Sequence, residues 1–500
     1  MRKVTFFAIA LIPFLLWNCE TDDMSLDGGY RADTAVGFSD NLGNPPYDPA
    51  GEGYNEIIEN PFIEVAEEPT STFSIDADGG SYSNVRRFLN DGILPPPDAV
   101  RTEELINYFD YDYAGPQGEH PIALNGEVSR CPWETAHKLI RIGIKGKEIP
   151  QDEVPPANLV FLIDVSGSMN AANKLGLLKE GFKLLVEELR PEDRVAIVTY
   201  AGNAGVALPS TPGTDKAAML DAIESLQSGG STAGAQGIVT AYEIAQQNFI
   251  QGGNNRVILG TDGDFNVGVS SQEGLIELIE SKRDLGIFLT VLGFGTGNYQ
   301  DGKMEQLANN GNGTYEYIDN LVQARKVFVE EMGKLYTVAK DVKVQVTFNS
   351  SLVEAYRLIG YENRVLDNED FEDDSKDAGE IGSGQTITAL YEIKPANGGS
   401  SLQQPSFTID FRYKHPDEDQ SQELSLDILD ENYSFNQASE SMRFAAGAAS
   451  FGLLLRDSAY KGSTSYEAIV EWISGATVYD PNGYREELVE LVYKAQALDQ

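Results

Sequence analysis

Asp164, Ser166 and Ser168 stand at alternate positions in Phe161-Leu162-Ile163-Asp164-Val165-Ser166-Gly167-Ser168-Met169. Each offers an oxygen on a short stem, and Gly167 lets the backbone turn tightly between the serines. Oxygen-only donors suit a hard divalent cation, Mg2+ in the first place, with Mn2+ or Ca2+ as alternatives. Two further stretches add the same chemistry. Gly229-Gly230-Ser231-Thr232 supplies the Thr232 hydroxyl ahead of a helix, and Leu259-Gly260-Thr261-Asp262-Gly263 supplies the Asp262 carboxylate at a strand end. Asp264 and Asn266 follow closely, either supporting the ligands or contacting a bound group, or else serving as plain turn residues. Taken alone, Asp-x-Ser-x-Ser also reads as an N-cap and turn, since both residue types favour those positions.

The elements that must position these side chains alternate between strand and helix. Leu159 to Ile163 is a continuous apolar run and reads as a buried strand. The next helix, 173–189, places Leu175, Leu178, Phe182, Leu185 and Leu189 at helical spacing. Strands follow at 195–200, 206–208, 257–260, 287–294 and 315–318, with helices at 215–226, 235–249, 272–285 and 322–335. Such alternation predicts a doubly wound, mostly parallel α/β sheet, whose ligands sit at the carboxyl ends of its strands. Asp164 and Asp262 both fall there. Gly293-Phe294-Gly295-Thr296-Gly297 departs from dinucleotide-binding spacing and reads as a turn, so no nucleotide is expected.

The set Asp164, Ser166, Ser168, Thr232 and Asp262 resembles the metal-ion-dependent adhesion site of von Willebrand factor type A domains. The resemblance implies that both serines and the threonine bind the metal directly, and that the aspartates bind it directly or through water. It also implies an open position for an acidic residue from a protein partner.

Flanking the central domain (155–337) are two regions of different character. In 71–150, helices are expected near 81–90 and 100–109 and strands at 122–130 and 138–145. Asp76-Ala77-Asp78-Gly79-Gly80 starts like a calcium loop but has no Glu at the twelfth position, and reads as a turn. In 338–500, strict alternation in Val342-Lys343-Val344-Gln345-Val346-Thr347-Phe348 and in four later runs to 427 predicts a β-sandwich, followed by helices at 437–456, 465–473 and 484–496. We expect the strands at 122–145 and 342–427 to form one sandwich into which the central domain is inserted, an arrangement similar to that of integrins. Phe73-Ser74-Ile75-Asp76, Asn84-Val85-Arg86-Arg87-Phe88-Leu89, Glu104-Leu105-Ile106-Asn107-Tyr108-Phe109 and Cys131-Pro132-Trp133 resemble the region before the type A domain in a family of bacterial lipoproteins. Arg357-Leu358-Ile359-Gly360-Tyr361 and Phe444-Ala445-Ala446 resemble that family's C-terminal domain, whose function is uncharacterised.

At the N-terminus, Arg2 and Lys3 precede an apolar segment, Val4 to Trp17, and then Cys19. This resembles a bacterial lipoprotein signal (1–19) with Cys19 as the lipidated residue. Trp17 and Asn18 replace the small residues usual before the cysteine. Glu20, Asp22 and Asp23 resemble the signal that sends lipoproteins of the Bacteroidota to the outer face of the outer membrane; the alternative is a periplasm-facing anchor, with these acids merely opening a solvated tether. Residues 20–70, rich in Gly, Asp, Glu, Asn and Pro, read as a disordered tether. There are two cysteines in all. A lipidated Cys19 leaves Cys131 unpaired, as a buried small hydrophobe.

The formal net charge of −41 argues against nucleic acid and against adsorption to anionic lipid. His120, His137 and His415 sit in unrelated segments without zinc-ligand spacing, and Ser166-Gly167-Ser168 lacks the hydrolase elbow, so no enzyme is expected. The expected function is metal-dependent adhesion or protein binding at the cell envelope. One alternative is a structural metal, with the flanking domains acting as an envelope scaffold. The other is a hydrolase that uses the metal to activate water.

Overall fold

The computed structural model describes residues 51–500, apart from 77, 202, 231–233, 264–271, 377 and 397–400. The chain begins with strands β1 (Ile63–Glu64) and β2 (Thr70–Ser74), helices α1 (Gly80–Asn90) and α2 (Thr102–Asn107), and strands β3 (Ile122–Arg130) and β4 (Lys138–Gly146). The stretch 51–69, expected as the end of the tether, is instead packed. Ile63 pairs with Tyr356, the Asn60 amide donates to the carbonyls of Leu358 and Gly360, and Glu52 accepts from Arg87 at 2.9 Å. Its polar residues look like linker composition, but each of these has a fixed partner far along the chain.

The central domain runs β5 (Ala157–Asp164), α3 (Leu177–Glu188), β6 (Arg194–Ala201), β7 (Asn203–Pro212), α4 (Lys216–Ser225), α5 (Gly234–Gln247), β8 (Asn254–Thr261), α6 (Gln272–Arg283), β9 (Ile287–Phe294), α7 (Asp301–Asn310), β10 (Tyr315–Ile318) and α8 (Leu321–Arg325). Its sheet has the order β10-β9-β8-β5-β6-β7, parallel throughout except for β7 at the edge. Every residue of β5 is buried because the sheet is covered on both faces. Phe161 and Ile163 pack with Leu178, Phe182 and Leu185 on one side. Val160 and Leu162 pack with Ile238 and Tyr242 on the other. The expected last helix, 322–335, is broken: α8 gives way to a wider turn over 326–330 and a tighter one over 332–335. Lys326 is buried there, with its ammonium over the rings of Tyr108 and Tyr484.

Beyond it come β11 (Thr337–Phe348), β12 (Val353–Ile359), β13 (Val365–Leu366), β14 (Gly379–Gly382), β15 (Thr386–Pro395), β16 (Phe407–Lys414) and β17 (Ser421–Ile428), then α9 (Glu440–Leu455), α10 (Tyr466–Ser474) and α11 (Tyr484–Leu498). Two antiparallel sheets result, β1-β12-β15-β4-β3 and β13-β2-β11-β16-β17, with β14 added to β11. Ile140, Ile142 and Ile144 of β4 share one core with Val342, Val344 and Val346 of β11 and with Ile409 and Phe411 of β16. Strands from both sides of the central domain therefore form one sandwich, and the central domain is inserted between β4 and β11. The terminal helices close a separate core over α2, where Leu105 and Ile106 meet Phe444, Phe451 and Ile469, and where Cys131 is buried.

Buried charges tie these parts together. Arg86, 1% exposed, forks onto Asp319 at 2.6 and 2.8 Å and donates to Tyr108 Oη, Gln323 Oε1 and Glu487 Oε2, each at 2.9 Å. One guanidinium thus joins α1, the end of the central sheet and α11. Asp78 N donates to Asp76 Oδ1 at 3.0 Å, and Arg364 closes on Asp76 at 2.8 Å. Replacing Arg86 with Ala strands Asp319 in the interior, and breaking a buried pair in this way costs about 3–5 kcal/mol. Denaturant titration of the variant is expected to show a loss of that size; a change under about 1 kcal/mol would remove Arg86 from this role.

Glu103 is the opposite case. It is 1% exposed, and among the described residues neither carboxylate oxygen has a well-formed hydrogen bond. Burial, then the charges of Glu362 and Asp76, push its carboxyl up from 4.5 to about 8. The native state therefore holds a proton that the unfolded chain has already lost between those values, so this group's contribution to stability falls as pH rises. Glu103→Gln is expected to match the parent below pH 4.5 and to be the more stable protein at pH 8 and above, as read from unfolding midpoints across that range.

Candidate metal centre

Asp164 is the last residue of β5 and has no exposed surface. Its Oδ1 accepts from the backbone of Ser166 at 2.8 Å, which turns the chain out of the sheet. Its Oδ2 accepts from Tyr200 Oη on β6 and Thr261 Oγ1 on β8, both at 3.2 Å. The two strands flanking β5 thus each hold the carboxylate by a hydroxyl. Ser166 Oγ lies 2.9 Å from Ser168 Oγ, and the Ser168 hydroxyl in turn hydrogen-bonds Asp262. Asp262, also fully buried, directly follows β8. Gly229 N donates to Val165 O at 2.8 Å and Gly167 N to Gly230 O at 3.2 Å, so the loop after α4 is stitched to the serine loop. Gly230 has φ of 93°, which favours glycine.

The structure brings Asp164, Ser166, Ser168 and Asp262 together at the crevice where the strand order reverses. Thr232, Asp264, Asn266 and Cys19 lie outside the described residues. Nitrogen and sulfur donors are absent from this described set, and among the described residues no three His, Cys, Asp or Glu side chains cluster as metal ligands. Two carboxylates supplemented by hydroxyls are a low-charge, oxygen-only donor set, which fits a hard divalent cation.

The sequence reading missed Lys174. It lies in a wide turn over 172–176 just before α3, with φ −115° and ψ −105°, and is 7% exposed. Its Nζ donates to Asp262 Oδ2 and to Asn298 Oδ1, both at 2.9 Å. The stem crosses Gly295 so closely that a Cβ there would lie 2.4 Å from its Cγ and Cε. The glycine-rich stretch 293–297 ends β9 at Phe294 and bends only after it, and Gly295 at that bend makes room for a lysine. Nothing in the sequence marks this, because a lysine in the first turn of an amphipathic helix reads as solvated.

The electrostatics follow. Burial pushes the Asp164 carboxyl up to about 6, and the charge of Asp262 adds to this. Burial acts on Asp262 in the same direction, but hydrogen bonds from Lys174, Ser168 and Asn298 hold it below the ordinary range. Tyr200, buried beside Asp164, is pushed well up and stays a donor. When both acids are ionised, the Lys174 ammonium is paired with Asp262, while Asp164 keeps the hydroxyls of Tyr200 and Thr261.

Three family descriptions match along the chain: "von Willebrand factor" over residues 48–141, "von Willebrand factor type A domain" over 158–330, and "Uncharacterized protein YfbK, C-terminal" over 333–498. The YfbK protein of Escherichia coli K12 is 42% identical over 474 residues, which cover 90% of this chain and 82% of the relative. The chain belongs to the YfbK family. Its central domain is a von Willebrand factor type A domain, carried between flanking antiparallel sheets with helices at the end. Among solved structures, the von Willebrand factor type A protein of Catenulispora acidiphila aligns with 76% of this chain and 91% of its own, at 15% identity and a TM-score of 0.43. The BatB protein of Bacteroides thetaiotaomicron aligns with 36% of this chain and 98% of its own, at 24% identity and a TM-score of 0.31.

In this YfbK-family protein, Gly295 has φ of 74° and a lysine stem against it. Gly295→Ala is expected to destabilise the metal-free protein by at least about 1–2 kcal/mol, the cost of a left-handed alanine. Unfolding in EDTA checks this; an unchanged midpoint would mean that Lys174 does not pack as described.

Proposed function

We propose that Asp164, Ser166, Ser168 and Asp262, with Thr232, hold one divalent cation, Mg2+ in the first place and Mn2+ or Ca2+ as alternatives. The cation would be presented to an acidic side chain of a protein partner. The supporting observation is the pairing of two fully buried carboxylates, Asp164 and Asp262, at adjacent ends of parallel strands, with the hydroxyls of Ser166 and Ser168 between them. A cation held by these residues would offer its positive charge to an exogenous carboxylate. The protein's own residues do the rest. Tyr200 and Thr261 orient Asp164, and Ser166 and Ser168 supply neutral oxygens that leave the cation electrophilic. Ser168 is exposed, so the site opens to solvent on that side.

We assign the protein to the cell envelope, anchored by a lipid on Cys19 and facing outward. This rests on the signal-like N-terminus. No helix among the described residues is long and apolar enough to cross a membrane. A structural metal, with partner binding carried by the flanks, is the second reading. It is favoured by Asp164 and Asp262 already having internal partners in Tyr200, Thr261 and Lys174.

A ligand that binds only the native state raises stability by about 2.7 kcal/mol at a hundredfold excess over its dissociation constant. The melting temperature is therefore expected to rise on adding millimolar Mg2+ or Mn2+ to the parent in place of EDTA, and to stay constant in Asp164→Ala. Equal responses in the two proteins would reject the site. Partner capture lost in a well-folded Asp164→Ala would favour adhesion, whereas a variant that unfolds readily even in metal would favour the structural reading.

A further inference from the structure

Resting on this metal-site reading, we propose that Lys174 is a tethered cation that competes with the divalent metal for Asp262, so that the lysine must withdraw for the metal to seat. The ammonium already sits where the charge of a metal would be balanced, 2.9 Å from Asp262 Oδ2. A divalent ion bound between Asp164 and Asp262 would stand next to that ammonium in a buried setting. Like charges repel strongly there, because little solvent screens them.

The surroundings look built for a lysine that has two positions. Gly295 clears a channel for the stem, and its φ of 74° is one that a side chain would strain. Asn298 gives the ammonium a second, neutral acceptor, so the head group keeps a partner after leaving Asp262. The wide turn over 172–176 breaks the helix at this residue, while α3 behind it is anchored in the core by Leu178, Phe182 and Leu185. Movement at 174 therefore does not require the core to move. Among the described residues, Asp262 is paired with this ammonium, and the charge of Asp262 in turn acts on Asp164. In this scheme the apo protein is held in a closed, charge-compensated form, and metal occupancy is set by a competition within one chain.

Two measurements on the whole protein test this. In the first, Mn2+ binding to the parent and to Lys174→Met, which keeps the stem and removes the charge, is followed by calorimetry and by the spin resonance of free Mn2+. Lys174→Met is expected to bind about tenfold tighter or more, the size of one repulsive charge removed. Binding by Lys174→Met but not by the parent would also support the lock. Equal or weaker binding by Lys174→Met, with the parent binding normally, would overturn the lock and leave the metal site standing. Failure of both to bind would end the metal reading, and the lock with it. The second measurement uses only the parent: amine-selective acylation read by mass spectrometry. Lys174 is expected to be protected in EDTA and labelled several-fold faster in saturating Mn2+. Labelling of Lys174 that ignores the metal would overturn the proposal even if the variant failed to fold.

Discussion

The fork between Arg86 and Asp319 is the interaction on which the arrangement of the parts rests. Hydrophobic burial gives each part its own core but does little to fix one core against another, because it is not directional. A guanidinium is directional. Its planar donors reach Asp319 twice and Gln323, Tyr108 and Glu487 once each, so four neighbouring residues must be in register together. Those residues come from the C-terminal cap of α2, from the loop after β10, from α8 and from α11. The central sheet, the N-terminal helices and the C-terminal helices are thereby held at one buried point.

The second constraint is topological. The central domain leaves from β4 and returns into β11, and both strands lie inside the same sandwich. β2, laid down before the insertion, pairs with β11 laid down after it. The sandwich is completed only when residues from both ends of the chain meet. Its ladders therefore link segments hundreds of residues apart, and closing such contacts is entropically demanding.

Much of this was legible in local pattern. The eight buried residues of β5 and the strict alternation of Val342, Val344 and Val346 declare their strands, and the two-sided placement of strands implied the insertion. Four of the five proposed ligands are seen to converge, because strand ends in a parallel sheet are predictable positions. What was not legible depends on distant partners. Residues 51–69 look like a linker until their acceptors on β12 are known. Lys326 and Lys174 look solvated until aromatic rings or an aspartate close over them. The helix expected over 322–335 is broken where Lys326 turns inward, a tertiary demand that helical periodicity does not carry. A buried lysine has no sequence signature of its own, since its burial is a property of what surrounds it.

Residues 51–53, inside the stretch expected as tether but packed in the structure, have a mechanical meaning. Gly53 N donates to Tyr299 O at 2.8 Å and Asp301 N to Gly53 O at 3.0 Å, while Gly297 N donates to Glu52 Oε1 and Gln300 Nε2 to Gly51 O. This clasp grips the loop that carries Asn298, the second acceptor of Lys174. The backbone of Gln300 in that loop packs against Gly263, next to Asp262. In a chain anchored at its N-terminus and pulled through a partner on the metal face, tension along the tether would arrive first at this clasp. The anchor line would then end on the loop beside the ligand site rather than on a remote corner of the protein, and force would act on the grip itself.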